Sequence, residues 1–151
     1  MQILQPLTET EHIDHKAVAG LTVVPGEGVQ LDEDESKVIL KLRGQLFGRF
    51  VSDGIFKQVV QEGDPAKYHV RVKVNAVNLV SSTARIMWGV FAGANKLDVR
   101  IELFQESSNN LIMAFTAYGE SASHPFSGES QMDDAINEVV EKIILALTSS
   151  N

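Results

Sequence analysis

The chain reads as a single α+β domain: an antiparallel-rich sheet with two helices packed on one face. Three observations predict this. Two segments alternate apolar and polar residues with period two, Tyr68 to Ala76 and Leu97 to Leu103. Two others repeat apolar residues at spacings of three and four, Val38 to Phe50 and Met132 to Leu147. Their order (strand, helix, long strand, hairpin, helix) lacks the strict β-α alternation of a nucleotide-binding sheet. With 151 residues, 44% of them hydrophobic and 22% charged, the composition is that of one ordinary globular domain. Residues 1–20 are expected to form an extended N-terminal arm, and residues 21–149 the domain.

Each element has a local reason. Leu21 to Val24 is a short apolar run stopped by Pro25 and Gly26, as a buried strand ends in a turn. The acidic block Asp32 to Glu35 suits the N-terminal dipole of a helix running from about Lys37 to Val51, with Ser36 as its cap. Arg43 stands in the middle of that helix's apolar arc. Two readings suit it: an ion pair in the core, or a stem that snorkels past the core edge. Gly44 and Gly48, four apart, suit close packing against a neighbour. In the first long strand the apolar parity slips at Val77 and Leu79, which suggests a bulge. If the two alternating strands pair, Arg71 and Lys73 face Asp98 and Glu102. A third strand, Leu111 to Tyr118, follows the turn Ser107 to Asn110 as the return arm of a hairpin. The last helix is capped by Ser130, carries Asp133 at the capping-box position and presents one narrow apolar face.

The chain has no Cys, and therefore no disulfide, thiolate metal site or Cys nucleophile. Its net charge of −7, with no basic run, removes the electrostatic footprint of nucleic-acid or anionic-lipid binding. The first fifteen residues hold no apolar signal region, and no stretch is long and apolar enough for a transmembrane segment. His12 and His15 stand three apart in a polar arm without further metal ligands nearby. His69 alternates with charged neighbours and reads as exposed, and His124 lies in a loop. No Ser stands in a nucleophile elbow. Gly89 and Gly93 match neither a P-loop nor a dinucleotide fingerprint. The expectation is therefore no enzyme, no cofactor and no metal, with an undescribed hydrolase as the minor alternative.

The segment Arg85 to Lys96 (RIMWGVFAGANK) stands apart. It holds the single Trp and joins two strands through glycines. Aromatics beside glycines and flanking cations suit a partner surface formed by Arg85, Trp88, Gly89, Phe91, Gly93 and Lys96. They also suit, and rather better, a wide hairpin folded back over the sheet with Trp88 and Phe91 in the core.

From Tyr68 to Leu147 the sequence resembles an uncharacterised bacterial domain of unknown function found mostly in envelope lipoproteins. The residues that carry the resemblance are Arg85, Gly89, Gly93 and Ala94, the strand LDVRIELF, Phe126-Ser127-Gly128, and Asp133-Asp134-Ala135-Ile136 opening the last helix. Where such domains carry Thr-Gly in the hairpin, Ser108-Asn109-Asn110 stands here. More distantly, the element order is similar to the domain shared by curli-secretion lipoproteins, penicillin-binding-protein activators and the N-terminal part of TolB. The resemblance implies a periplasmic or outer-membrane-associated, non-catalytic binding or assembly module with a protein partner or self-association. It offers no catalytic residues. A lipid anchor would have to lie outside these residues, which contain no lipidation Cys. The alternative is a small-molecule binder with a pocket between the first helix and the sheet, near Arg43 and Trp88.

Overall fold

The computed structural model describes residues 2–6, 12–79, 95–121 and 131–149. Six strands form one sheet: β1 (Gln2–Gln5), β2 (Val18–Pro25), β3 (Gln58–Val60), β4 (Tyr68–Asn78), β5 (Asn95–Gln105) and β6 (Asn110–Ser121). Two helices, α1 (Glu33–Ser52) and α2 (Gln131–Ser149), pack against the sheet and against each other. The strand order is β1-β6-β5-β4-β2-β3. The α+β class stands, but the sheet is mixed. β4, β5, β6 and β1 pair antiparallel, whereas β2 runs parallel to both β3 and β4. The cause is α1: it carries the chain from the end of β2 back to the sheet's other end, so the next strands enter in the direction of β2.

α1 begins at Asp32, not Ser36. The Asp32 carboxylate accepts the Glu35 N–H at 2.8 Å, and the Glu35 carboxylate accepts the Asp32 N–H at 3.0 Å. This capping box satisfies two donors that Ser36, already inside the helix, could not serve. At the other end Gly54 adopts φ 71°, the left-handed turn that ends a helix without a Cβ penalty. Val38, Leu42, Leu46 and Phe50 are buried. Arg43 settles at the core edge, its guanidinium 5.8 Å from the Phe47 ring centroid, as snorkelling predicts. Gly44 and Gly48 are exposed and nothing lies within 4 Å of where their Cβ atoms would stand, so the close packing expected there is absent.

The helix-facing side of the sheet is the core. Val70, Val72, Val74, Leu97, Val99, Ile101, Leu103, Phe115 and Ala117 are fully buried, in register across β4, β5 and β6. Burying a Leu, Ile or Val side chain is worth about 1.5–3 kcal/mol, so this layer dominates stability. The expected bulge lies between Val74 and Ala76. α2 docks on β6 through Gly119, where a Cβ would stand 2.1 Å from the Ala135 carbonyl oxygen. Two ties fix this contact: buried Ser121 Oγ accepts the Ala135 N–H at 2.7 Å, and Glu138 accepts the Glu120 N–H at 3.0 Å. Lys41 to Asp133 and Arg49 to Glu141 bridge the two helices. Residues 2–5 of the N-terminal segment pair with β6. Ile13 and Ala17 are buried, and β2 starts at Val18.

Candidate functional site

Of the expected partner surface, Arg85, Trp88, Gly89, Phe91 and Gly93 lie outside the described residues. Lys96 is exposed near the start of β5, opposite Asn78 and Glu120. The pocket expected near Arg43 and Trp88 lies outside the described residues on its Trp88 side, and α1 forms the other. There the sheet-facing side chains of α1 are fully packed and Arg43 lies over Phe47 instead.

A pocket does exist on the opposite face of the sheet. It is built from two rows of cross-strand neighbours. Gly20, His69 and Phe104 form one row, and Thr22, Arg71 and Glu102 the next. Side chains in these rows share a face because cross-strand partners point the same way. His69 is buried at 7% exposure, a correction to its reading as a surface residue. Gly20 is the reason. A Cβ there would stand 2.9 Å from His69 Nδ1, so the absent side chain leaves room for the imidazole to lie flat over β2. His69 Nε2 is 2.9 Å from Thr22 Oγ1, and that hydroxyl donates to Glu62 Oε2 at 3.2 Å. On its other side His69 Nδ1 is 3.4 Å from Glu106 Oε1. Arg71 lays its guanidinium 5.3 Å from the Phe104 ring centroid and makes no ion pair among the described residues.

Beside them opens a shallow pocket of about 160 Å³, lined by Glu62, His69, Arg71, Phe104, Glu106 and Asn109. Asn109, at φ 53°, closes the β5–β6 turn in the left-handed region that Asn tolerates better than most residues. The turn itself falls at 106–109, one residue earlier than the sequence suggested.

Hydroxyl, imidazole and carboxylate stand here in the order of a nucleophilic triad, but the proton accounting opposes that use. The Thr22 hydroxyl has two competing partners, Glu62 Oε2 at 3.2 Å and His69 Nε2 at 2.9 Å, and its one proton cannot serve both. Thr22 also does not line the pocket. The arrangement is suited to holding a polar group, not to generating a nucleophile.

Beside this pocket lies a second polar cluster. Glu102, 7% exposed, sits between Lys73 Nζ and Arg100 Nε, each 3.2 Å from one of its oxygens. Its Oε1 makes no hydrogen bond, the Lys73 approach being an ion-pair contact only. The expected cross-strand pairing is thus partly realised. Arg71 is opposite Glu102, whereas Lys73 faces Arg100 and reaches Glu102 along the diagonal. Asp98 pairs with Ala76 instead, because the bulge shifts the register. His12 is exposed, and His15 Nδ1 donates to the Ile55 carbonyl at 2.9 Å.

Two bacterial proteins of known structure share this overall fold, and a third is less similar. The PelC dodecamer from Paraburkholderia phytofirmans is 13% identical, with TM-score 0.57 over 93% of this chain and 94% of that one. Hypothetical protein CT253 from Chlamydia trachomatis is 9% identical, with TM-score 0.54 over 89% and 99%. Lipoprotein GNA1162 from Neisseria meningitidis is 10% identical, with TM-score 0.48 over 85% and 96%. No curated protein matches the sequence. Residues 10–125 match the model of DUF4410, a domain of unknown function, and the chain belongs to that family. This agrees with the uncharacterised bacterial family that the sequence resembles.

Proposed function

We propose that the domain is a non-catalytic assembly module of the bacterial cell envelope that associates with copies of itself or with a protein partner. The observation that carries this reading is the β1 edge. β1 pairs with β6 on one side only among the described residues, and its Ile3 and Leu4 are 53% and 42% exposed. An edge strand with exposed apolar side chains is a template for a further strand. A protein of similar fold, PelC, forms a dodecamer, which supports self-association. The envelope setting rests on the sequence resemblance. The segment with Arg85, Trp88, Gly89, Phe91, Gly93 and Lys96 is the second surface proposed to meet a partner.

Sedimentation velocity tests both surfaces. Wild-type protein is expected to associate reversibly, and the double substitution Ile3→Lys, Leu4→Lys to weaken that association without lowering thermal stability. Trp88→Ala is expected to weaken association by about 2 kcal/mol or more if Trp88 is a contact residue. A stability loss of about 3–5 kcal/mol with unchanged association would instead place Trp88 in the core and leave β1 as the interface. A wild-type chain that stays monomeric at every concentration removes the self-association reading.

A further inference from the structure

The pocket on the polar face holds complementary charges that are not used up within the chain. Arg71 offers a guanidinium whose described contact is a ring, so its N–H donors face the pocket without a carboxylate partner. Glu62 commits Oε2 to Thr22, and Glu106 approaches His69 through Oε1. His69 Nδ1 approaches Glu106 Oε1 only to 3.4 Å, longer than an ordinary hydrogen bond. A carboxylate held that loosely can accept from a ligand with several N–H donors. One wall therefore calls for an ammonium and the other for a carboxylate, with the Phe104 ring beneath Arg71 as an apolar side. The volume, about 160 Å³, compares with the roughly 150 Å³ cavity that accommodates benzene, so the ligand has about six to ten heavy atoms.

We propose that this pocket binds a small zwitterion of the amino-acid class, its ammonium at Glu106 and its carboxylate at Arg71. Asn109, at the rim, can either donate to or accept from such a ligand. Divalent metal is a poorer fit: no group of three or more metal-ligating side chains gathers among the described residues. The proposal does not rest on the assembly reading, since Arg71 and Glu106 belong to neither of the surfaces proposed to meet a partner.

Isothermal titration calorimetry of the full chain tests it with glycine, L-alanine, D-alanine and L-glutamate. The same compounds as N-acetyl acids and as amides, together with inorganic phosphate, are the controls. At least one free amino acid is expected to bind, with both capped forms weaker by about tenfold or more. Arg71→Met and Glu106→Gln are each expected to weaken that binding about tenfold, while the thermal melting curve of each variant stays that of the wild type. Absence of binding by all four amino acids overturns the proposal. So does equal binding of the N-acetyl forms or phosphate, which would mark a simple anion site. Unchanged affinity in Arg71→Met overturns it as well.

Discussion

Two glycines on opposite faces of the sheet show how differently the faces are built. Gly119 lies under α2, and the atom that forbids a side chain there is the Ala135 backbone carbonyl, with Val139 next. Gly20 lies under His69, and the atom in the way is the end of an imidazole. On the helix face the neighbour is part of a hydrogen-bonded helix and cannot yield without moving an element. On the polar face it is a side chain, which can shift without moving an element. The first face stores stability, and the second is built of side-chain contacts that yield more locally.

The comparison breaks most sharply at Gly119. Gly119→Val is expected to cost on the order of 4 kcal/mol, because overpacking against helix backbone has no local relief. A urea melt measures it, and a loss below about 1 kcal/mol would mean that α2 slides freely on β6. Next comes Ile101→Ala, in the middle of β5 and fully buried. Removing its buried methyl groups is expected to cost about 2–5 kcal/mol, with no effect on the polar-face pocket. A change in ligand affinity comparable to the stability loss would show that the two faces are coupled. Smallest is Gly20→Ala, expected at about 1 kcal/mol. Its signature is local: His69 must leave Thr22, so the His69 ring resonances shift while those of His15 do not. If both rings report alike, the polar face is as rigid as the helix face, and the contrast fails.

Much of the fold was legible because burial on one side writes a period into the sequence. Val70, Val72 and Val74, and Leu97 through Leu103, alternate because one face meets the helices and the other meets charge. Strand direction leaves no such trace: a parallel and an antiparallel strand buried on one face alternate alike, so the parallel setting of β2 was not readable. β1 and β3 are too short, at four and three residues, for a period to emerge. The Asp32 cap was within reach, since Asp-x-x-Glu is itself a capping-box pattern. The candidate pocket was beyond it. His69 among Arg71 and Lys73 looks like surface, and only the register that sets Gly20 beside it explains its burial. Glu62, Glu106 and Asn109 reach the same pocket from two turns that no local pattern links.

The parallel setting of β2 also bears on biosynthesis. Ala19 pairs with Val59 on one side and Tyr68 on the other, so both partners of this strand lie far downstream. As the chain is made from its N-terminus, β2 emerges with both hydrogen-bonding edges open, and α1 follows with its apolar face uncovered. At roughly 5–20 residues per second, β2 waits for several seconds before β4 exists to receive it. The meander β4-β5-β6 has no such delay, because each strand pairs with the one made just before it. The nascent chain thus carries β2 with an open edge until β4, the last made of its two partner strands, is in place.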